Sequence, residues 1–157
     1  MEQPRIRFLL ASDTSGHTAG YYVVAQGLRD AGMEVIALGH SEPAGVADAA
    51  LQEDVDFIGY RISDRDPVAL ISVLRAAMAE RGISQLPIVV GGIVRKSVIP
   101  SLKEMGVIGV FGPGSRLPDI AAFVFAHNAA APIESNPASE VSPESPPSAG
   151  GQDARSS

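Results

Sequence analysis

A chain of 157 residues, 45% hydrophobic and 19% charged with a formal net charge of −6, has the length of one ordinary domain and offers no electrostatic footprint for nucleic acid or an anionic membrane. It contains no cysteine, which excludes disulfides, zinc-thiolate and iron-sulfur centres and thiol nucleophiles. No run of about 18 apolar residues is present to span a bilayer, and the opening Met1-Glu2-Gln3-Pro4-Arg5 shows no basic segment followed by an apolar one, so a cytoplasmic location is expected.

In chain order, the apolar run Ile6 to Ala11 predicts a first strand. A helix is expected from Thr18 to about Ala31, with Tyr22, Val23, Ala25, Gln26 and Leu28 on its inner side and Gly32 as its stop. Met33 to Leu38 reads as the second strand, and Pro43 suits the first turn of a helix over Ala44–Glu53, where its missing N–H costs nothing. Phe57 to Tyr60 is the third strand, Pro67 to Arg81 the third helix, and Leu86 to Val90 a fourth strand broken by Gly91-Gly92. A helix over about Ser97–Met105, a fifth strand at Val107–Phe111, a Gly112-Pro113-Gly114 loop and a helix from Leu117 to about Ala126 complete the pattern. Beyond Ala129 the composition turns to Ala, Pro, Ser and Glu, which predicts a folded domain over residues 5–128 and a disordered, acidic tail over 129–157.

Strands alternating with helical segments argue for a parallel sheet with helices on both faces. The expected fold class is α/β: a flavodoxin-like, doubly wound five-stranded sheet of order 2-1-3-4-5 in a three-layer αβα arrangement. Such sheets bind ligands beyond the carboxyl ends of their strands. The loops carrying His17, Tyr60-Arg61-Ile62-Ser63, Gly91-Gly92 and Gly112-Pro113-Gly114 should therefore share one edge, with the glycines letting a large ligand approach the backbone. His40 and His127 are read as loop and helix-end residues.

The loop Ser15-Gly16-His17-Thr18-Ala19-Gly20 is not a dinucleotide fingerprint, because the glycine needed two positions after Gly16 is Thr18. No G-x-x-x-x-G-K-[ST] phosphate loop occurs either. A phosphorelay receiver shares the architecture only, since its phospho-accepting Asp and its Lys are replaced by Tyr60-Arg61 and Phe111-Gly112.

Several ordered stretches carry a more specific likeness: Val23 to Gly32 with Glu34-Val35-Ile36, Ala49 to Asp56, Val89 to Ile93, Leu102 to Val107, and Gly109 to Ser115. From about Arg5 to Phe125 the chain resembles the cobalamin-binding domain of the methylmalonyl-CoA mutase type, whose D-x-H-x-x-G loop places a histidine beneath the corrin. The resemblance implies that His17 is the lower axial ligand of cobalt, in place of the cofactor's own dimethylbenzimidazole, and that this base enters a slot between the sheet and the first helix. It further implies cofactor-binding roles for Ser15, Gly16, Thr18, Ala19, Gly20, Tyr60, Arg61, Ile62, Ser63, Gly91, Gly92, Phe111, Gly112, Pro113, Gly114 and Ser115. In two places the chain departs from the pattern. Ser15 stands where the motif has Asp, so the carboxylate that would hold the other imidazole N–H is missing; Asp13 lies two residues earlier. Arg61-Ile62-Ser63 stands where the family commonly shows S-x-L.

Three roles follow from the resemblance. In the first, the chain is the small subunit of an adenosylcobalamin-dependent acyl-CoA mutase, an isomerase that is not catalytic alone. A TIM barrel needs about 250 residues, so the substrate would sit on a separate large subunit. In the second, it is a stand-alone cobalamin sensor, carrier or photoreceptor; in the third, a degenerate domain without corrinoid. The expected partners are the corrinoid and either the barrel subunit or further copies of the chain, with neither nucleic acid nor membrane.

Overall fold

The computed structural model describes residues 5–16 and 18–130. The tail expected from residue 129 lies outside the described residues from 131 onward. Five strands and five α-helices alternate: β1 (Arg7–Ser12), α1 (Thr18–Asp30), β2 (Glu34–His40), α2 (Pro43–Glu53), β3 (Phe57–Ile62), α3 (Pro67–Glu80), β4 (Ile88–Gly92), α4 (Ile99–Glu104), β5 (Val107–Phe111) and α5 (Leu117–Ala130). All strand pairs are parallel and the sheet order is β2-β1-β3-β4-β5, the flavodoxin-like arrangement expected from the pattern. The chain divides by its contacts after Ala121. The sheet, α1 to α4 and the first turn of α5 lie before that division, and of the part after it the described residues are those of α5 from Ala122 to Ala130.

Strand alternation sorts the side chains into two layers. Leu9, Ala11, Ile58, Tyr60, Ile62, Ile88 and Val90 join one buried cluster with Val46, Ala47 and Ala50 of α2, Leu70, Ile71 and Leu74 of α3, and Leu102 of α4. The intervening residues Phe8, Leu10, Gly59, Arg61, Val89 and Gly91 belong to the other face. Register aligns Leu10, Gly59 and Val89 in one row and Ser12, Arg61, Gly91 and Phe111 in the next, nearer the carboxyl edge. A shift in pairing between Ile88 and Val89 brings Phe111, rather than Val110, opposite Gly91.

Several boundaries differ from the sequence reading for identifiable reasons. β3 runs two residues further than Tyr60, because Arg61 and Ile62 pair with Gly91 and Gly92; these four are strand residues, and the glycines end β4 instead of breaking it. Gly92 has φ +101°, and a Cβ there would overlap the Ile62 carbonyl oxygen, so only glycine lets the two strands approach this closely. The fourth helix opens as a 3-10 turn over Lys96–Val98 before α4, and α5 continues four residues past Ala126. β2 extends to His40, whose Nε2 stands 4.0 Å from a Glu42 carboxylate oxygen.

α1 is rotated relative to the expected inner side. Tyr21, Ala25 and Leu28, spaced i, i+4, i+7, are buried, while Tyr22 is 61% and Val23 57% exposed. The core position thus belongs to Tyr21. Its hydroxyl donates to the Leu10 carbonyl and accepts from the Gly39 amide, both at 2.8 Å, giving a buried phenol two partners that Tyr22 has no route to reach. Burial raises the Tyr21 pKa, an effect the Gly39 amide partly offsets.

Candidate functional site

The site is built on the face of the sheet that carries α1. Phe8 and Leu10 of β1, Gly59 of β3 and Val89 of β4 form a floor, and α1 contributes Gly20, Val23, Val24 and Leu28 as one wall. Leu117 and Ile120 of α5 approach from the other side, and the segment Phe111 to Ser115 closes the end. Together they enclose a cavity of about 270 Å³. Gly59 in the floor and Gly27 on α1, beside the wall residue Leu117, are both closely approached. A Cβ on Gly59 would come within 2.5 Å of Phe8 Cε1, and one on Gly27 within 2.6 Å of Leu117. Gly112 faces open space, since an added Cβ would meet nothing within 4 Å.

Among the described residues the lining is mostly apolar, and Arg61 is its one charged side chain. Arg61 reaches along the mouth so that its Nη2 is 3.0 Å from where a Gly20 Cβ would sit, and its Nη1 donates to Ser63 Oγ at 3.2 Å. Among the described residues no carboxylate pairs with this guanidinium, and the first turn of α1 brings no acidic residue.

The loop after β3 is shaped by Asp13. This carboxylate is buried and accepts main-chain N–H donors from Ser63 at 2.9 Å, Asp64 at 2.9 Å and Arg65 at 2.8 Å, while its own amide donates to the Arg61 carbonyl at 3.0 Å. It is therefore held mainly by the β3–α3 loop. Nearby, the Tyr60 hydroxyl donates to the Ser41 carbonyl, and burial together with the Glu42 carboxylate pushes its pKa up to about 12.

Of the residues singled out from sequence, the cavity gathers Gly20, Tyr60, Arg61, Gly91, Gly92, Phe111, Gly112, Pro113, Gly114 and Ser115. Tyr60 borders it while its side chain belongs to the opposite core. Ser15, Gly16 and Ala19 are exposed before and within the start of α1, and Thr18 is the first residue of that helix. Ile62 is fully buried in the opposite core, and Ser63 turns toward Asp13. His17 lies outside the described residues. Sequence reasoning missed Phe8, Leu10, Gly59, Leu117 and Ile120; a glycine in the middle of a strand, as at Gly59, was the available sign of close approach. Among the described residues no three His, Cys, Asp or Glu side chains converge to hold a metal, and no helix is long and apolar enough to cross a membrane.

Comparison with known proteins places this geometry. Residues 8–121 match the B12 binding domain. The chain is 37% identical over 109 residues to the 2-hydroxyisobutanoyl-CoA mutase small subunit of Aquincola tertiaricarbonis, covering 68% of this chain and 80% of that one. It is 39% identical over 115 residues to the pivalyl-CoA mutase small subunit of Xanthobacter autotrophicus, covering 71% and 75%. With the methylmalonyl-CoA mutase large subunit of Streptomyces virginiae it shares 34% identity over 122 residues, 76% of this chain but 17% of that protein. Among solved structures, a cobalamin-binding protein from Desulfitobacterium hafniense superposes with a TM-score of 0.62 at 17% identity, covering 78% of this chain and 58% of that one. The receiver domain of NarL from Mycobacterium tuberculosis gives 0.61 at 14%, covering 82% and 100%; both likenesses speak to fold alone. With the family match spanning the whole sheet and every strand that lines the cavity, the chain belongs to the B12 binding domain family.

Proposed function

We propose that this chain holds adenosylcobalamin as the small subunit of an acyl-CoA mutase, with His17 as the lower cobalt ligand and the cofactor's nucleotide base in the cavity beside α1. The observation that carries the reading is the cavity itself. Its volume lies just below the usual range for whole small-molecule ligands, which suits an aromatic base, and its apolar floor of Phe8, Leu10 and Val89 suits a flat, weakly polar ring. A corrin would bring ring nitrogens of its own to the metal, so the one imidazole of His17 is all that this chain would need to add.

When bound, adenosylcobalamin supplies the radical that starts a 1,2-rearrangement. The contribution of this chain is binding and orientation: Gly20, Gly91, Gly92 and Gly112 keep the mouth clear, and Phe8 and Leu10 exclude water from the base. The identity to two mutase small subunits supports a separate large subunit as the partner that binds the acyl-CoA ester. A second reading, a free-standing cobalamin carrier or sensor, is favoured by Ser15 where mutase motifs place a carboxylate.

The test is a spectroscopic titration of the purified chain with hydroxocobalamin and adenosylcobalamin. A shift in visible absorption that is lost in His17→Ala is expected; no shift, or the same spectrum in both proteins, overturns the ligand assignment. Mixing the loaded chain with an acyl-CoA mutase barrel subunit separates the two readings, since a carrier or sensor yields neither a complex nor turnover.

A further inference from the structure

We infer that Arg61 recognises the phosphodiester of the cofactor's nucleotide tail and so makes this site selective for complete cobalamins over tailless corrinoids. The inference rests on the cavity holding the nucleotide base, and deepens that reading. A base lodged in the cavity draws its ribose and phosphate across the mouth, where the only charged group of the lining among the described residues is the Arg61 guanidinium.

Three observations fix the role of this side chain. Arg61 sits at the carboxyl end of β3 between Ser12 and Gly91, with its head held over the α1 backbone at Gly20 and anchored through Nη1 to Ser63 Oγ. The neighbouring carboxylate of Asp13 accepts three main-chain amides of the next loop and makes no ion pair with the guanidinium. Glu42 pairs with Arg65. Arg61 therefore presents a positive charge without a carboxylate partner among the described residues. A planar fork with spare N–H donors matches the two free oxygens of a phosphodiester, whereas the family's serine at this position offers a single neutral hydroxyl.

The experiment measures dissociation constants of the full chain for hydroxocobalamin and for diaquacobinamide, which lacks the nucleotide and its phosphate, in the wild type, Arg61→Gln and Arg61→Lys. Expected is a loss of roughly 10- to 100-fold in cobalamin affinity for the Gln variant, in keeping with a hydrogen-bonded charge pair. The loss should be smaller for Lys, and cobinamide binding should not change in either. Equal losses for both corrinoids, no loss, or tighter cobalamin binding by Arg61→Gln overturns the inference, the last because it marks the arginine as a plug; each of these leaves cobalamin binding itself standing. A wild type that binds neither corrinoid overturns the functional reading and this one with it. Should the Gln variant fail to fold, the Lys variant decides on the same criterion, a change confined to the tailed ligand.

Discussion

Asp13 Oδ2 lies 2.8 Å from the main-chain nitrogen of Arg65, and through this and the bonds to Ser63 and Asp64 one buried carboxylate sets the course of the loop that leaves β3. Removing it would strand three amides in a part-buried turn. Unsatisfied donors of this kind cost about 1–3 kcal/mol each, moderated by whatever water enters. Asp13→Ala is expected to destabilise the domain by about 2–4 kcal/mol and Asp13→Asn by less, measured as a drop in the urea midpoint. If binding follows the proposed site, both variants also weaken cobalamin, since the Asp13 carboxylate holds the Ser63 main chain and Ser63 Oγ in turn anchors the Arg61 guanidinium.

The glycines of the site should separate by what a methyl group would meet. At Gly92 the new Cβ would overlap the Ile62 carbonyl in a left-handed backbone, and at Gly59 it would press on the buried Phe8 ring; at Gly112 it meets nothing within 4 Å, and the backbone there is not left-handed. Overpacking of a closed core costs about 1–3 kcal/mol. Alanine substitution is expected to destabilise in the order Gly92 above Gly59 above Gly112, with Gly112→Ala close to neutral. Thermal melts check this order; by the same melts Gly112→Leu should keep the fold, while spectroscopic titration should show cobalamin binding weakened at least tenfold by filling the mouth of the cavity.

How far these features could be read in advance depends on whether they are periodic or paired. β5 at Val107–Phe111, the proline start of α2 and the sheet order follow from apolar runs and turn residues alone, because each is a local pattern. The orientation of α1 did not, since Tyr21 and Tyr22 are equally aromatic neighbours and only a partner on another element, the Leu10 carbonyl, decides which one turns inward. Arg61 and Ile62 fall beyond the apolar run that marks the third strand in the sequence, yet strand pairing with Gly91 and Gly92 extends β3 through them. Asp13, two residues before Ser15, has its partners in the backbone of residues 63–65, a long-range pairing that no local pattern displays.

Tyr60 gives the fold an alkaline limit. Its phenol has a folded-state pKa of about 12 against 10.0 for the ordinary value, so the folded form holds the proton more tightly than the unfolded chain. The stabilisation is complete below pH 10 and is lost as pH rises from there toward 12, because the unfolded state ionises first. A difference of this size corresponds to something on the order of 2–3 kcal/mol. Wild-type stability should fall over that window in denaturant titrations. Tyr60→Phe should flatten the slope there while lowering stability at pH 7, where the bond to the Ser41 carbonyl is lost.

Ser15 is the substitution through which the proposed cobalt site is best interrogated. A ligating imidazole is held and made more basic when its second N–H meets a carboxylate, and loss of such a partner typically weakens a metal site by about 10- to 100-fold. The carboxylate of Asp13 accepts main-chain amides of the β3–α3 loop, and Ser15 offers a hydroxyl where the motif places a carboxylate. Restoring it is therefore expected to tighten binding: Ser15→Asp should lower the dissociation constant for hydroxocobalamin by about tenfold, with no change in the urea midpoint because the side chain is solvent-facing. The gain should vanish in Ser15→Asp combined with His17→Ala, since it acts through the imidazole. A gain that survives removal of His17 would mean that the new charge attracts the corrinoid directly, and no gain at all would mean that the second shell does not limit affinity at this site.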